Sequence, residues 1–426
     1  MKNSSLIFLL ILNCTADLPQ DTAYAWSVIR ELSSPGFKGR GYVEKGDRIS
    51  ADFIAHEFRD IGLSPVSGNS FFREFNVSVN TFPNRVSVKI DGKELQVASD
   101  FIIDPSSPPV KGRFGVITTS RNQVDSEAKL ANLINRAGNS FIMVDNRNRN
   151  DEEPVKARKT DEYIDYLKHA PGINVKGVII FSDDRLTWGA SPVQGIRPVI
   201  VMKGSPGLSV STIDINVDAS FIPDYKTRNV IGSLEGTSRS DTLIVITAHY
   251  DHLGKMGKMT YFPGANDNAS GVAMLLSLAK HYSVNRPRYR MLFIALSAEE
   301  LGLVGSKAFV ADPPVDLKKI RFLVNFDLAG TGDEGIKVVN GSLYKNAFDT
   351  LNAKNTRFGL LPKVESRGAA CISDHCPFHK KGVPCFYIYT MGGSRAYHDI
   401  DDIPGALTLS KFNDYFRLMT AFLDSL

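Results

Sequence analysis

Thr242-Leu243-Ile244-Val245-Ile246-Thr247-Ala248-His249-Tyr250-Asp251-His252 is an apolar, β-branched run that ends in a cluster of polar side chains able to bind a metal. Thr242 to Thr247 reads as a buried strand. The pattern returns along the C-terminal half: the strand Met291 to Ser297 leads into Ala298-Glu299-Glu300, and Ile320 to Phe326 leads into Asp327. A further strand spans Cys385 to Tyr389, with Tyr397-His398 beyond it. Between these lie the loop Gly264-Ala265-Asn266-Asp267-Asn268, the helix Ala269 to His281, a short helix from Glu299 and a final helix from Leu409 to Leu423. Strands alternating with helices imply an α/β sandwich, a mixed central sheet flanked by helices. The polar motifs then fall at the C-terminal ends of strands, where such sheets gather their sites.

The chemistry of these motifs is that of a metal centre. His249 and Asp251 are two residues apart, so an extended backbone projects both to one side, where the carboxylate can accept the imidazole N–H. Neighbouring Glu299 and Glu300 point in different directions, so one can bind metal while the other faces a water. Imidazole nitrogens and carboxylates together suit a pair of zinc ions, and Co²⁺ or Mn²⁺ could use the same ligands. Each motif alone has an ordinary reading: a hydrogen-bonded histidine at a strand end, a helix-capping carboxylate at Asp267, a solvated acidic helix start, a solvated Asp399 to Asp402 turn. Five in this order point to a metallohydrolase.

The order and wording of the segments resemble the co-catalytic zinc aminopeptidases of metallopeptidase family 28, relatives of glutamate carboxypeptidase and glutaminyl cyclase. The resemblance runs from Asn229 to the C-terminus and returns more weakly over Trp26 to Leu63, where Leu32-Ser33-Ser34 and Gly39-Arg40-Gly41 are similar to the family's opening. It implies His249, Asp267 and Asp327 on one zinc and Asp267, Glu300 and His398 on the other, with Asp267 as the bridge. It also implies Glu299 as general base, Asp251 as the group that orients His249, and Tyr397 as hydrogen-bond donor to the oxyanion. His252 is not required as a ligand, which leaves it a surface or supporting place. Ser373-Asp374-His375 with Pro377-Phe378 resembles a family segment lining the site, and the loop carrying Phe378 is expected to shape the side-chain pocket. A Ser-His-Asp relay is disfavoured there, because adjacent residues do not line up in one.

The implied activity is removal of N-terminal residues from peptides. Three rivals stay open. A glutaminyl cyclase-like mono-zinc acyltransferase fits less well with Asn266-Asp267-Asn268-Ala269-Ser270-Gly271, and a catalytically inactive binding homologue fits less well with the intact site residues. A carboxypeptidase or dipeptidase of the same family is not separated by the sequence.

The rest of the chain sets the frame. Its 426 residues are 43% hydrophobic, enough for a large core and two or three domains. Fifty basic against 46 acidic side chains give a charge of only +4, so nothing favours a nucleic acid partner. Trp26 to Leu63 carries Ile49, Phe53, Ile54, Phe58 and Ile61 at helical spacing and stops at Gly62. From Phe82 to Phe221 short β-like stretches follow: Phe114 to Thr118, Phe141 to Val144, Gly177 to Phe181 and Pro198 to Met202. Lys176 to Ile180 and Arg197 to Ile200 are similar to core strands of the protease-associated domain that many family members insert here. The expected division is 1–25 signal, 26–81 N-terminal part of the peptidase domain, 82–222 mainly-β insert and 223–426 catalytic domain; the alternative is one large domain with an elaborated sheet. The polar run Asn146 to Lys159 reads as a mobile loop in either case.

Lys2 followed by apolar Leu6 to Leu12 matches a secretory signal rather than a membrane span. Ile11-Leu12-Asn13-Cys14 resembles a relaxed lipobox that would lipidate Cys14, whereas Ala23-Tyr24-Ala25 suits ordinary cleavage. The expected location is therefore periplasmic, extracellular or lipid-anchored, with membrane contact only through Cys14. Export permits one disulfide among Cys371, Cys376 and Cys385; buried free thiols are the alternative.

Overall fold

The computed structural model describes residues 22–147, 152–204 and 210–426; the apolar run and Cys14, on which the export expectation rests, lie outside the described residues. Among the described residues the chain builds two large sheets and one short hairpin. At the centre of the first sheet, Leu243–His249 lies between Arg290–Leu296 and Ile320–Phe326, with Cys385–Met391 next in line, all four parallel. Ser220–Leu234 flanks one side and Gly335–Val339 the other, both antiparallel, so the sheet is mixed.

Both faces of the parallel strands are covered, which is why they read as continuous apolar runs. Ile244, Ile246 and Ala248 pack toward the helices Thr22–Leu32, Gly46–Ile61, Gly271–Val284 and Phe412–Leu423. Leu243 and Val245, one residue out of phase, face Val304–Ala311 and His375–Lys380. Ala23-Tyr24-Ala25 lies in the first of these helices, with Ala25 buried against the core. The Gly46–Ile61 helix ends at Gly62, whose left-handed φ of 92° turns the chain away and would strain a residue with a side chain. Ile49 of its expected stripe stays exposed.

Two long antiparallel strands, Phe72–Thr81 and Ser220–Leu234, carry the chain out of this sheet and back, with Thr81 paired to Ser220 at the far end. The second sheet lies between them. Its strands Val110–Ser120, Phe141–Asp145, Gly177–Ser182 and Val199–Lys203 pair in parallel, and the helices Glu127–Ala137 and Pro154–His169 cover one face. The second helix corrects the reading of Asn146 to Lys159 as a loop throughout. Its buried stripe of Thr160, Ile164 and Leu167 begins only past that charged run, which hides the helical period.

The second sheet shares a core with the loop and short hairpin of the catalytic segment. Phe101 and Ile103 of that sheet, with Phe82 and the loop residue Trp188, pack with Leu253, Met256 and Phe262 of the catalytic segment. Cys371 and Cys376 form a disulfide and Cys385 is a buried free thiol, so each cysteine expectation holds for part of the set.

Candidate metal centre

The candidate ligands sit just past the ends of the parallel strands. His249 ends its strand, Glu299 and Glu300 follow Leu296, Asp327 follows Phe326, and His398 lies on the loop after Met391. Asp267 lies in the irregular segment Ala265–Ser270 that opens the Gly271–Val284 helix. Gly264 makes that entry possible: its φ is 58°, and a Cβ there would fall 2.1 Å from the Asp267 carbonyl and 2.4 Å from the His252 ring.

The side chains converge on Asp267. Its Oδ1 lies 3.4 Å from His249 Nε2, which is also 3.3 Å from Asp327 Oδ1. Its Oδ2 lies 3.1 Å from His398 Nε2, which is also 3.3 Å from Glu300 Oε2. One carboxylate therefore faces two separate imidazole and carboxylate sets. A charge-assisted N–H···O bond settles at about 2.7–2.9 Å, whereas two donors each about 2.0–2.1 Å from a tetrahedral ion stand roughly 3.3–3.4 Å apart. Three of the four separations match the second spacing. Asp267 Oδ1 is moreover buried with no hydrogen-bond partner, a costly condition for a carboxylate oxygen that a cation would relieve.

The electrostatics agree with that fit. Burial pushes the Glu299 carboxyl well above its usual range, with Asp374, Glu300 and Asp327 adding to the push against the pull of His249. Burial likewise raises Asp251 to about 7 and Asp374 to about 6. Burial disfavours a charged His398, yet the Glu300 and Asp267 carboxylates outweigh it and raise the imidazole to about 11. A desolvated surplus of carboxylates beside imidazoles is a donor set suited to divalent cations.

Several side chains depart from their expected places. His249 Nδ1 is 3.2 Å from the Asp251 backbone carbonyl but 3.8 Å from its carboxylate. That carboxylate instead accepts the backbone N–H groups of Glu299 and Glu300 at 3.1 and 3.3 Å, so it fixes the Glu299-Glu300 turn. His252 is fully buried rather than at the surface, and its Nδ1 stands 2.8 Å from Glu300 Oε1, where it orients that carboxylate. Phe378 cannot shape a pocket: it lies on a helix, wholly buried against Phe309. Ser373 donates to Asp327, Asp374 accepts from Ser306 and His375 pairs with the Ala370 carbonyl, so the three form no relay. Tyr397 is partly exposed and stacks on His398, ring centroids 4.0 Å apart.

Two supporting residues, each quoted in the sequence analysis, had been given no role there. Asp402 accepts the backbone N–H groups of Asn266 and Asp267. Arg40 is fully buried and donates to the carbonyls of Leu32, Tyr250, Pro263, Gly264 and Asp267, tying the His249 loop to the Asp267 loop. Its one signal was the flanking pair Gly39 and Gly41, which lets the backbone run against Gly254. Arg40→Lys is expected to destabilise the fold by several kcal/mol, because three ammonium donors cannot serve five carbonyls and each orphaned acceptor costs about 1–3 kcal/mol. Chemical denaturation measures it; a change under about 1 kcal/mol would contradict the tie.

Fold and donor set together define an α/β protein with a candidate two-cation centre. Residues 229–423 match the model of Peptidase family M28. Among curated relatives, it is 27% identical over 236 residues to Aminopeptidase YwaD of Bacillus subtilis, covering 52% of this chain and 49% of the relative. It is 26% identical over 254 residues to a probable leucine aminopeptidase of Trichophyton verrucosum, covering 56% and 64%. The chain thus spans about half to two thirds of the length of these relatives. Among solved structures, BSAP, a zinc aminopeptidase from Bacillus subtilis, superposes with a TM-score of 0.69 at 19% identity over 96% of this chain and 95% of that one. A Peptidase M28 precursor from Shewanella amazonensis gives 0.68 at 16% identity over 95% and 93%. At these identities the structural likeness is one of fold.

Proposed function

We propose that the protein is a zinc-dependent aminopeptidase that hydrolyses N-terminal residues from peptides. The observation that carries this is the Asp267 carboxylate, whose two oxygens face two different imidazole and carboxylate sets at 3.1 to 3.4 Å. The M28 match and the names of the relatives support the same reading. His249, Asp327 and Asp267 would hold one zinc, and His398, Glu300 and Asp267 the other. When bound, such ions polarise a scissile carbonyl and stabilise developing negative charge; Co²⁺ or Mn²⁺ could serve through the same donors.

The chain's own groups do the rest. Glu299, buried with its carboxyl pKa raised, takes the proton of the attacking water and returns it to the leaving amine nitrogen. Asp251 keeps it in place through the Glu299 and Glu300 amides. The Tyr397 hydroxyl donates to the carbonyl oxygen as it gains charge. The His249 and Asp327 pair opposite Asp267 Oδ1 offers donors for a second ion, which favours the two-ion reading.

We further assign 82–222 as a protease-associated-like insert between a peptidase part at 26–81 and the catalytic 223–426, preceded by a signal at 1–25. Export fits the Cys371–Cys376 disulfide, since such bonds persist in oxidising compartments. None of the helices among the described residues is long and apolar enough to cross a membrane.

A panel of peptides with free and acetylated N-termini, given to the metal-loaded protein, tests the activity. Acetylation should remove most of kcat/KM, because the carboxylates around the site lose the α-ammonium as partner. Comparable cleavage of both forms would refute an aminopeptidase, and release from the C-terminal end would assign the carboxypeptidase rival.

A further inference from the structure

We propose that Trp188, on the insert's loop between the strands Gly177–Ser182 and Val199–Lys203, is a positioning residue for His398, and that through it the insert sets how tightly the Asp267, Glu300 and His398 side of the centre holds its ion. The proposal rests on the two-ion reading above. Trp188 and His398 are 210 residues apart, yet they meet in a reciprocal pair: the Trp188 N–H donates to the His398 carbonyl at 2.8 Å, and His398 Nδ1 lies 3.0 Å from the Trp188 carbonyl. A carbonyl only accepts, so this contact places the imidazole proton on Nδ1. Nε2 faces Asp267 and Glu300, and on binding an ion it would give up its proton and offer its lone pair, the tautomer a metal ligand needs. His398 also sits at φ 53°, a backbone setting that a non-glycine residue keeps only where its surroundings hold it.

Trp188 is itself held firmly. It is buried, its indole Nε1 donates to the Ile103 carbonyl at 2.7 Å, and its ring stacks on Phe262 at 4.6 Å. Ile103 belongs to the inserted sheet, whereas Phe262 lies two residues before Gly264 and the Asp267 loop. Three residues ahead of Trp188, Arg185 grips the same catalytic loop on both sides of His398: it pairs with Asp399 at 2.5 Å and donates to the Arg395 carbonyl. The insert thereby holds the backbone, the ring tautomer and the neighbours of His398.

The test uses the full-length protein, stripped of metal with a chelator and titrated with Zn²⁺ by calorimetry. Wild type should bind two ions, and His398→Ala should lose one, which identifies it. Trp188→Ala should weaken that same ion by about 10–100-fold, the usual cost of losing a group that supports a ligand, while the other ion keeps its affinity. Arg185→Gln, which leaves the Trp188 packing intact, should weaken it too and keeps the proposal testable if Trp188→Ala fails to fold. The chain has two tryptophans, so in a Trp26→Phe background the emission of Trp188 should shift only in the binding step that His398→Ala abolishes. Folded Trp188→Ala or Arg185→Gln protein that binds both ions as wild type does would overturn the proposal alone. Wild type that binds fewer than two ions would overturn the two-ion reading and this proposal with it.

Discussion

Glu299→Gln will lower kcat by about 10²–10⁴-fold, the range a positioned general base contributes, while zinc content and melting temperature stay at wild-type values. The glutamine is isosteric, and the backbone at this position is held by Asp251 through the amide rather than through the side chain. Only the proton-accepting function is removed. Glu300→Gln should behave differently, because both oxygens of Glu300 are engaged, Oε1 with His252 and Oε2 with His398. An amide group there turns an N–H toward one of those imidazoles and removes a negative charge from the ion. Metal analysis after gel filtration separates the two variants, and equal loss of zinc from both would show that the neighbouring glutamates do not have separate roles.

If the site holds two ions as proposed, Asp267→Ala will cost both rather than one. Each Asp267 oxygen serves a different imidazole and carboxylate set, so truncation removes a donor from each set and the charge that lets two cations share a site. Affinity for both should fall by at least about 10²-fold, beyond the loss of a merely supporting group. Asp327→Asn should instead weaken only the ion on the His249 side. The fold around Asp267 should survive, since Arg40 and Asp402 hold that loop through its backbone carbonyl and amide. Metal stoichiometry measured across a zinc titration decides the matter: one ion retained at wild-type affinity in Asp267→Ala would mean the carboxylate does not bridge.

Of the candidate site residues, His249, Glu299, Glu300 and Asp327 were legible because each comes at the end of an apolar run that can be read from letters alone, whereas Asp267 and His398, on loops, were reached through the resemblance. The residues that were not legible act through backbone atoms, which have no letter. Arg40 bonds only to carbonyls, Asp402 only to amides, and Trp188 meets His398 through main-chain groups. Asp251 was placed beside His249 by strand spacing, but the chain leaves the strand at His249, so its carboxylate swings to the Glu299 turn. His252 was left between a surface and a supporting place because nothing in one dimension shows that the turn after Asp251 folds inward onto Glu300, which decides for the supporting one. Phe378 was read by likeness as a site residue, whereas the apolar strands beside it, with Cys385 and Val383, claim its ring for the core.

The paired strands Phe72–Thr81 and Ser220–Leu234 have a topological consequence. Because Thr81 and Ser220 are cross-strand neighbours, the chain departs for the second sheet and returns at practically the same point in space. The intervening segment is therefore a closed excursion, and a tight reverse turn could join those two residues without shifting the register of any strand in the first sheet. The architecture is separable in its wiring but not in its surfaces: such a shortened chain would keep every candidate ligand while baring Leu253, Met256 and Phe262 to water.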